Sequence, residues 1–114
     1  MWIVDRKITL NELAENNSGY FDDMVKAVVD VEKRVIAVDA ELHSDIEGFL
    51  LDEGSKQENL WGINLLLDED DAEDIIEFDS LINIRPKQNN RSRYVEDEKI
   101  REKICEVVCE WIEM

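Results

Sequence analysis

The sequence predicts an α+β fold: a single domain over residues 1–114, with an antiparallel sheet built from two hairpins, helices packed mainly on one face, and an amphipathic C-terminal helix. Three observations carry this. Apolar and polar residues share faces with period two over 25–31 and again over 59–67, the pattern of half-buried strands. Ile100, Ile104, Val107, Val108, Trp111 and Ile112 recur at helical spacing and give one apolar stripe. A chain of 114 residues with 44% hydrophobic content is the size of one domain. Such a domain buries roughly two thirds of its unfolded surface and needs no disulfide or structural metal.

In chain order, Ile3 to Lys7 reads as a short strand. Thr9 with Glu12 forms a capping box, in which a hydroxyl and a carboxylate satisfy orphan amides at a helix start; a helix over 10–16 follows and stops at Asn16-Asn17-Ser18-Gly19. Tyr20 to Met24 reads as a further helical turn. Val25, Ala27, Val29 and Val31 then share one face of a strand, and Arg34 to Asp39 forms its hairpin partner without an Asn-Gly turn signal. Ser44-Asp45-Ile46-Glu47 is a second capping box, and Gly54 suits the position after the helix end. Asn59 to Leu67 is a strand with Trp61, Ile63, Leu65 and Leu67 on one face. Asp68 to Asp74 is an acidic connector. Ile76, Phe78, Ile82 and Ile84 predict one long strand, ended by Pro86, which has no amide to give a ladder. Asp97 caps the last helix.

The net charge is −16, and it is unevenly spread. Residues 41–80 hold 14 acidic residues and one basic residue, while residues 85–93 hold four basic residues and no acid. Such a field excludes nonspecific nucleic-acid binding and attraction to anionic membranes. No apolar stretch reaches the roughly 18 residues of a membrane span, and the opening Met1-Trp2-Ile3-Val4 run is too short for a signal peptide. The expected location is the cytoplasm, where Cys105 and Cys109 stay reduced.

Three stretches together resemble a known family. They are Lys26-Ala27-Val28-Val29-Asp30-Val31-Glu32; then Glu41-Leu42-His43 through Gly54-Ser55-Lys56-Gln57-Glu58-Asn59-Leu60-Trp61-Gly62-Ile63-Asn64; then Ile82-Asn83-Ile84-Arg85-Pro86 with Asn90-Arg91-Ser92. In this order and spacing they resemble a family of small prokaryotic proteins known only as a domain of unknown function. The resemblance spans nearly the whole chain. It implies a single small domain and supplies no activity, cofactor or catalytic residue. One departure is Asn89-Asn90 where the resemblance leads one to expect Gly-Asn; Asn tolerates left-handed φ better than most residues, so the turn can survive.

Chemistry must therefore be read from side chains. Arg85, Asn90, Arg91, Ser92 and Arg93 form a loop whose guanidinium forks, amides and hydroxyl suit a phosphate or carboxylate. Glu96, Asp97 and Glu98 already occupy the following helix start, which counts against an external anion there. Glu41 and the single histidine, His43, form a carboxylate–imidazole pair on an extended backbone, able to act as a base. The acidic run lacks the glycine and late glutamate of an EF-hand, and the thiols lack a second pair for zinc, so no metal is predicted. No glycine-rich phosphate cradle exists, and no cofactor is predicted. Asp30, Glu32, Asn64, Glu77, Asp79, Asn83 and Arg85, with Val28, Ile75 and Leu81 among them, make one mixed sheet face; left uncovered, it would favour self-association. The leading expectation is a noncatalytic homodimeric binding or interaction module. The alternatives are a small-anion binder or enzyme using loop 85–93, and an acidic antagonist of a basic partner.

Overall fold

Val25, Ala27 and Val29 point to one side of strand β3 (Met24–Asp30), and Lys26, Val28 and Asp30 to the other. The structure, a computed structural model, describes the backbone of residues 1–114 and every side chain except those of residues 72 and 73, which fall within the predicted acidic run. β3 is the centre of a five-stranded antiparallel sheet in the order β1-β4-β3-β5-β6. Its partners are β1 (Trp2–Ile3), β4 (Val35–Val38), β5 (Leu60–Leu66) and β6 (Ile76–Glu77). A separate parallel pair joins β2 (Ile8–Thr9) to β7 (Ile112–Glu113).

The β3–β4 hairpin turns without an Asn-Gly pair because Asp30 does that work. Its carboxylate accepts from the amides of Glu32 and Lys33 at 3.0 and 2.9 Å, and Arg34 takes a left-handed φ of 56°. The chain then crosses through α2 (His43–Asp52) and returns as β5 on the far side of β3. Gly54 ends α2 with φ 100°; its amide reaches the Leu51 carbonyl and that of Ser55 reaches Leu50, the paired bonds of a Schellman close.

Two apolar cores form, one per sheet face. The larger joins Val25, Ala27, Val29, Trp61, Ile63 and Leu65 to Leu13 of α1 (Leu10–Asn16) and to Ile104, Val107 and Val108 of α4 (Glu98–Trp111). The smaller joins Val28, Ala37 and Leu60 to Ile46 and Leu50 of α2. Two helices thus share one face, and α2 covers the other. Val28, Asp30, Asn64 and Asn83 are buried on that second face, so the mixed face expected from the sequence is covered there, while Glu77 and Leu81 remain exposed.

Several boundaries move. Of the strand expected at 3–7 only Ile3 pairs, in β1; Val4 to Lys7 are irregular and β2 begins at Ile8, while Tyr20–Asp23 bends without helix. Thr9 accepts from the Glu12 amide at 3.0 Å, but the Glu12 carboxylate pairs with Arg6 instead of closing the box. Ser44 is not a cap: α2 starts at His43, with Leu42 before it and no side chain capping the end. α4 stops at Trp111, and Ile112 belongs to β7.

The long strand expected over 76–84 is the largest difference. After the four-residue α3 (Ala72–Ile75), only Ile76 and Glu77 pair with β5. The chain then forms 3-10 turns at Leu81–Asn83 and Pro86–Gln88. Asn83 takes the place of strand pairing: its Nδ2 donates to the Gly62 carbonyl at 2.9 Å, and its Oδ1 accepts from the Gly62 amide at 2.8 Å. A β-carbon on Gly62 would lie 2.6 Å from both Cβ and Oγ of Ser80, so only glycine admits this approach.

Asn83→Ala leaves two buried backbone groups without partners. It should cost about 2–4 kcal/mol in urea unfolding; a loss below roughly 0.5 kcal/mol would contradict this role. Gly62→Ala should cost about 1–3 kcal/mol through overpacking against Ser80.

Candidate functional site

The basic loop expected to meet an anion is largely committed within the chain. The Arg85 guanidinium donates to the carbonyls of Gln57 and Leu60 and lies 4.1 Å from the Trp61 ring centroid. Burial lowers its pKa, opposed by the charge of Glu47. Asn90 is a buried hub: Nδ2 donates to the carbonyls of Asn83, Ser92 and Tyr94, and Oδ1 accepts from the Glu96 amide. Asn89, at φ 60° and ψ 27°, holds the left-handed turn with an asparagine in place of glycine.

The amides of Arg91 and Ser92 and the Ser92 hydroxyl all reach one carboxylate oxygen, Oε2 of Glu96, at 2.8, 2.8 and 2.7 Å. The Ser92 hydroxyl, followed by the two amides, holds the Glu96 pKa below the ordinary carboxylate range. The loop is thus built to receive an anion, and the one it receives is its own.

Arg93 departs from this pattern. It pairs with Asp79 at 2.5 Å and also lines a small pocket of about 110 Å³ with Lys26, Leu42, His43, Ser44, Ser80, Leu81 and Ile82. Each wall has a local cause. The β3 alternation turns Lys26 to the α2 face. The start of α2 supplies His43 and Ser44; no side chain caps this end, and Asp45 is the acid of its first turn. The Asn83 carboxamide also donates to the Arg93 carbonyl at 3.0 Å, and that carbonyl accepts from the Ser80 amide at 3.1 Å. One side chain therefore fixes both Ser80 and Arg93 at the mouth.

His43 is only 7% exposed. Its Nε2 lies 2.8 Å from the Ile63 carbonyl, which can only accept, so Nε2 carries the proton. Nδ1 forms no hydrogen bond among the described residues and keeps its lone pair. Burial pushes the His43 pKa below 6.5, helped by Lys26 and Arg93 and opposed by the Ile63 bond and Asp79. Lys26 has no carboxylate within 4.0 Å among the described residues; its ammonium sits 5.0 Å from the Phe21 ring centroid. The nearby Asn64 Oδ1, on the residue opposite Lys26 in the sheet, is buried without a partner.

Of the residues singled out in the sequence, the structure brings His43 and Arg93 together. It leaves Glu41 exposed and outside the pocket lining; the side chains of Arg85, Asn90 and Ser92 bond within the chain, whereas Arg91 enters through its backbone amide and its side chain is exposed. Sequence reasoning missed Lys26, Ser44 and Ser80. The one available signal was Lys26, the single cation in a strand whose neighbours on the same side, Val28 and Asp30, are buried.

Unfolded, His43 takes up its proton near pH 6.5; folded, only at lower pH. Its neutral form therefore contributes stability that is complete above pH 6.5 and lost as the pH falls below it. Urea unfolding at pH 7.5 and 5.5 should show a smaller pH-dependent loss in His43→Gln than in the native chain. Equal losses would contradict the buried neutral ring.

No curated protein and no solved structure matches the chain. A family model described as "Protein of unknown function (DUF5674)" matches residues 2–111. With that match spanning all but four of its 114 residues, the chain belongs to this family of unknown function.

Proposed function

We propose that the chain is a binding domain for a small anionic group, a carboxylate or phosphate, held in the pocket at the start of α2. The observation that carries this reading is the meeting of Lys26, Arg93 and the start of α2 with the buried His43 in the walls of one pocket. In a chain of net charge −16, a site with two cations and one facing carboxylate is a local reversal of sign. About 110 Å³ admits a charged group and excludes a nucleotide-sized ligand, whose pockets span roughly 300–1,000 Å³. An arriving anion also favours the charged imidazole, so binding raises the His43 pKa.

Acetate and inorganic phosphate, each against chloride at matched ionic strength, test the reading by thermal unfolding. At ten times the dissociation constant the gain should be about 1.4 kcal/mol, a rise of several degrees in Tm. Lys26→Met should abolish the rise, and it should grow as the pH falls from about 8 to about 6. No rise with either anion contradicts the proposal.

A homodimeric interaction module is the second reading, favoured by the exposure of Leu42, Leu51, Leu81 and Ile84. Sedimentation from low to high salt decides it: a dimer that loosens with salt supports it, and a monomer throughout removes it. The free thiols of Cys105 and Cys109 accord with a reducing, cytoplasmic setting.

A further inference from the structure

Resting on the anion-binding reading above, we propose that the pocket takes the carboxylate of a branched aliphatic acid, with the aliphatic part lying on Leu42 and Leu81. The first ground is charge. Arg93 is already paired with Asp79, and His43 is neutral. Lys26 is then the one uncompensated unit charge among the lining side chains, and it matches a monoanion. A phosphate dianion would bring a second negative charge into the field of a −16 chain with no cation to meet it.

The second ground is the rim. Leu42 is 52% exposed and Leu81 66% exposed, and both line the pocket. They come from separate segments: Leu42 precedes α2, and Leu81 opens the 3-10 turn fixed by Ser80 and Asn83. An inorganic anion would leave both in water. A short branched chain leaving the pocket would cover them, at about fourfold in affinity per methylene buried. The pocket's small volume makes the same division: the charged group fits inside, and whatever carries it must lie on the rim.

The third ground is polarity inside. Nδ1 of His43 is an acceptor in the neutral ring, while Ser44 and Ser80 supply hydroxyls able to donate. A carboxylate presents two oxygens, enough for the ammonium and a hydroxyl, without forcing an oxygen against Nδ1.

Two sources share this chemistry: a free branched acid, and the carboxyl terminus of a peptide ending in leucine. Isothermal titration at pH 7 with acetate, isocaproate, inorganic phosphate, Gly-Gly-Leu and its C-terminal amide separates the outcomes. Isocaproate should bind at least about tenfold more tightly than acetate and more tightly than phosphate. Leu81→Ser should bring the isocaproate-to-acetate ratio towards one. Binding of Gly-Gly-Leu but not its amide assigns the source to a peptide terminus; binding of isocaproate without the peptide assigns it to a free acid, and either result supports the proposal. Phosphate binding as tightly as isocaproate, an unchanged ratio in Leu81→Ser, or equal binding of the amide overturns it and leaves the broader anion reading standing. If no anion binds, both fall.

Discussion

The reciprocal pair of hydrogen bonds between the Asn83 carboxamide and the Gly62 backbone is the constraint on which the pocket depends. A carboxamide offers one donor and one acceptor in the spacing of a peptide group, so Asn83 acts as a single rung of strand for β5. The third bond, to the Arg93 carbonyl, ties the segment after the 3-10 turns to the same point. Asn90 does the next share, gathering the carbonyls of Asn83, Ser92 and Tyr94. Two buried asparagines thus order a stretch with almost no regular pairing. Their cost of burial is met because each polar atom has a partner. The absence of a β-carbon at Gly62 lets Ser80 approach the sheet, and Leu81 and Arg93 follow it to the mouth of the pocket.

Electrostatics then separates two places that look alike in the sequence. At Arg91 and Ser92 the chain supplies both donors and acceptor, and Glu96 closes the nest. At His43 it supplies donors and cations, and among the described residues no acidic side chain lines the pocket itself. The nearest carboxylate acting on the ring, Asp79, is held by Arg93. The difference comes from where the glutamates fall. Glu96 lies four residues beyond Ser92, within reach of its own loop, whereas Asp45 and Glu47 sit on α2 beyond the pocket-lining His43 and Ser44.

Where structure followed from local sequence, it was legible. The alternation of β3 and β5 and the apolar stripe of α4 needed only neighbours a few residues apart, and so did the Asp97 cap and the Gly54 close. The left-handed Asn89 was also readable, because its tolerance of positive φ belongs to the residue itself. The segment 76–84 was not. Phe78 and Ile82 have the parity of a strand face, yet Phe78 packs against the larger core and Ile82 against the smaller, on opposite sides of the sheet. No regular strand permits that, and its cause, a bond to Gly62 some 21 residues away, is invisible in the local pattern. The site divides in the same way. His43 and Arg93 carried chemistry by type, but their meeting across 50 residues and the inward turn of Lys26 are products of sheet order, which the sequence did not specify.

The central claim is that His43, in the wall of the proposed anion pocket, holds a neutral ring protonated on Nε2. Long-range nitrogen–proton NMR spectra of the His43 ring, recorded across pH with and without acetate, measure that directly. The account predicts the Nε2–H tautomer and a midpoint below 6.5 in the free chain, rising when acetate is present. An Nδ1–H tautomer, or a midpoint that acetate leaves unmoved, would contradict it.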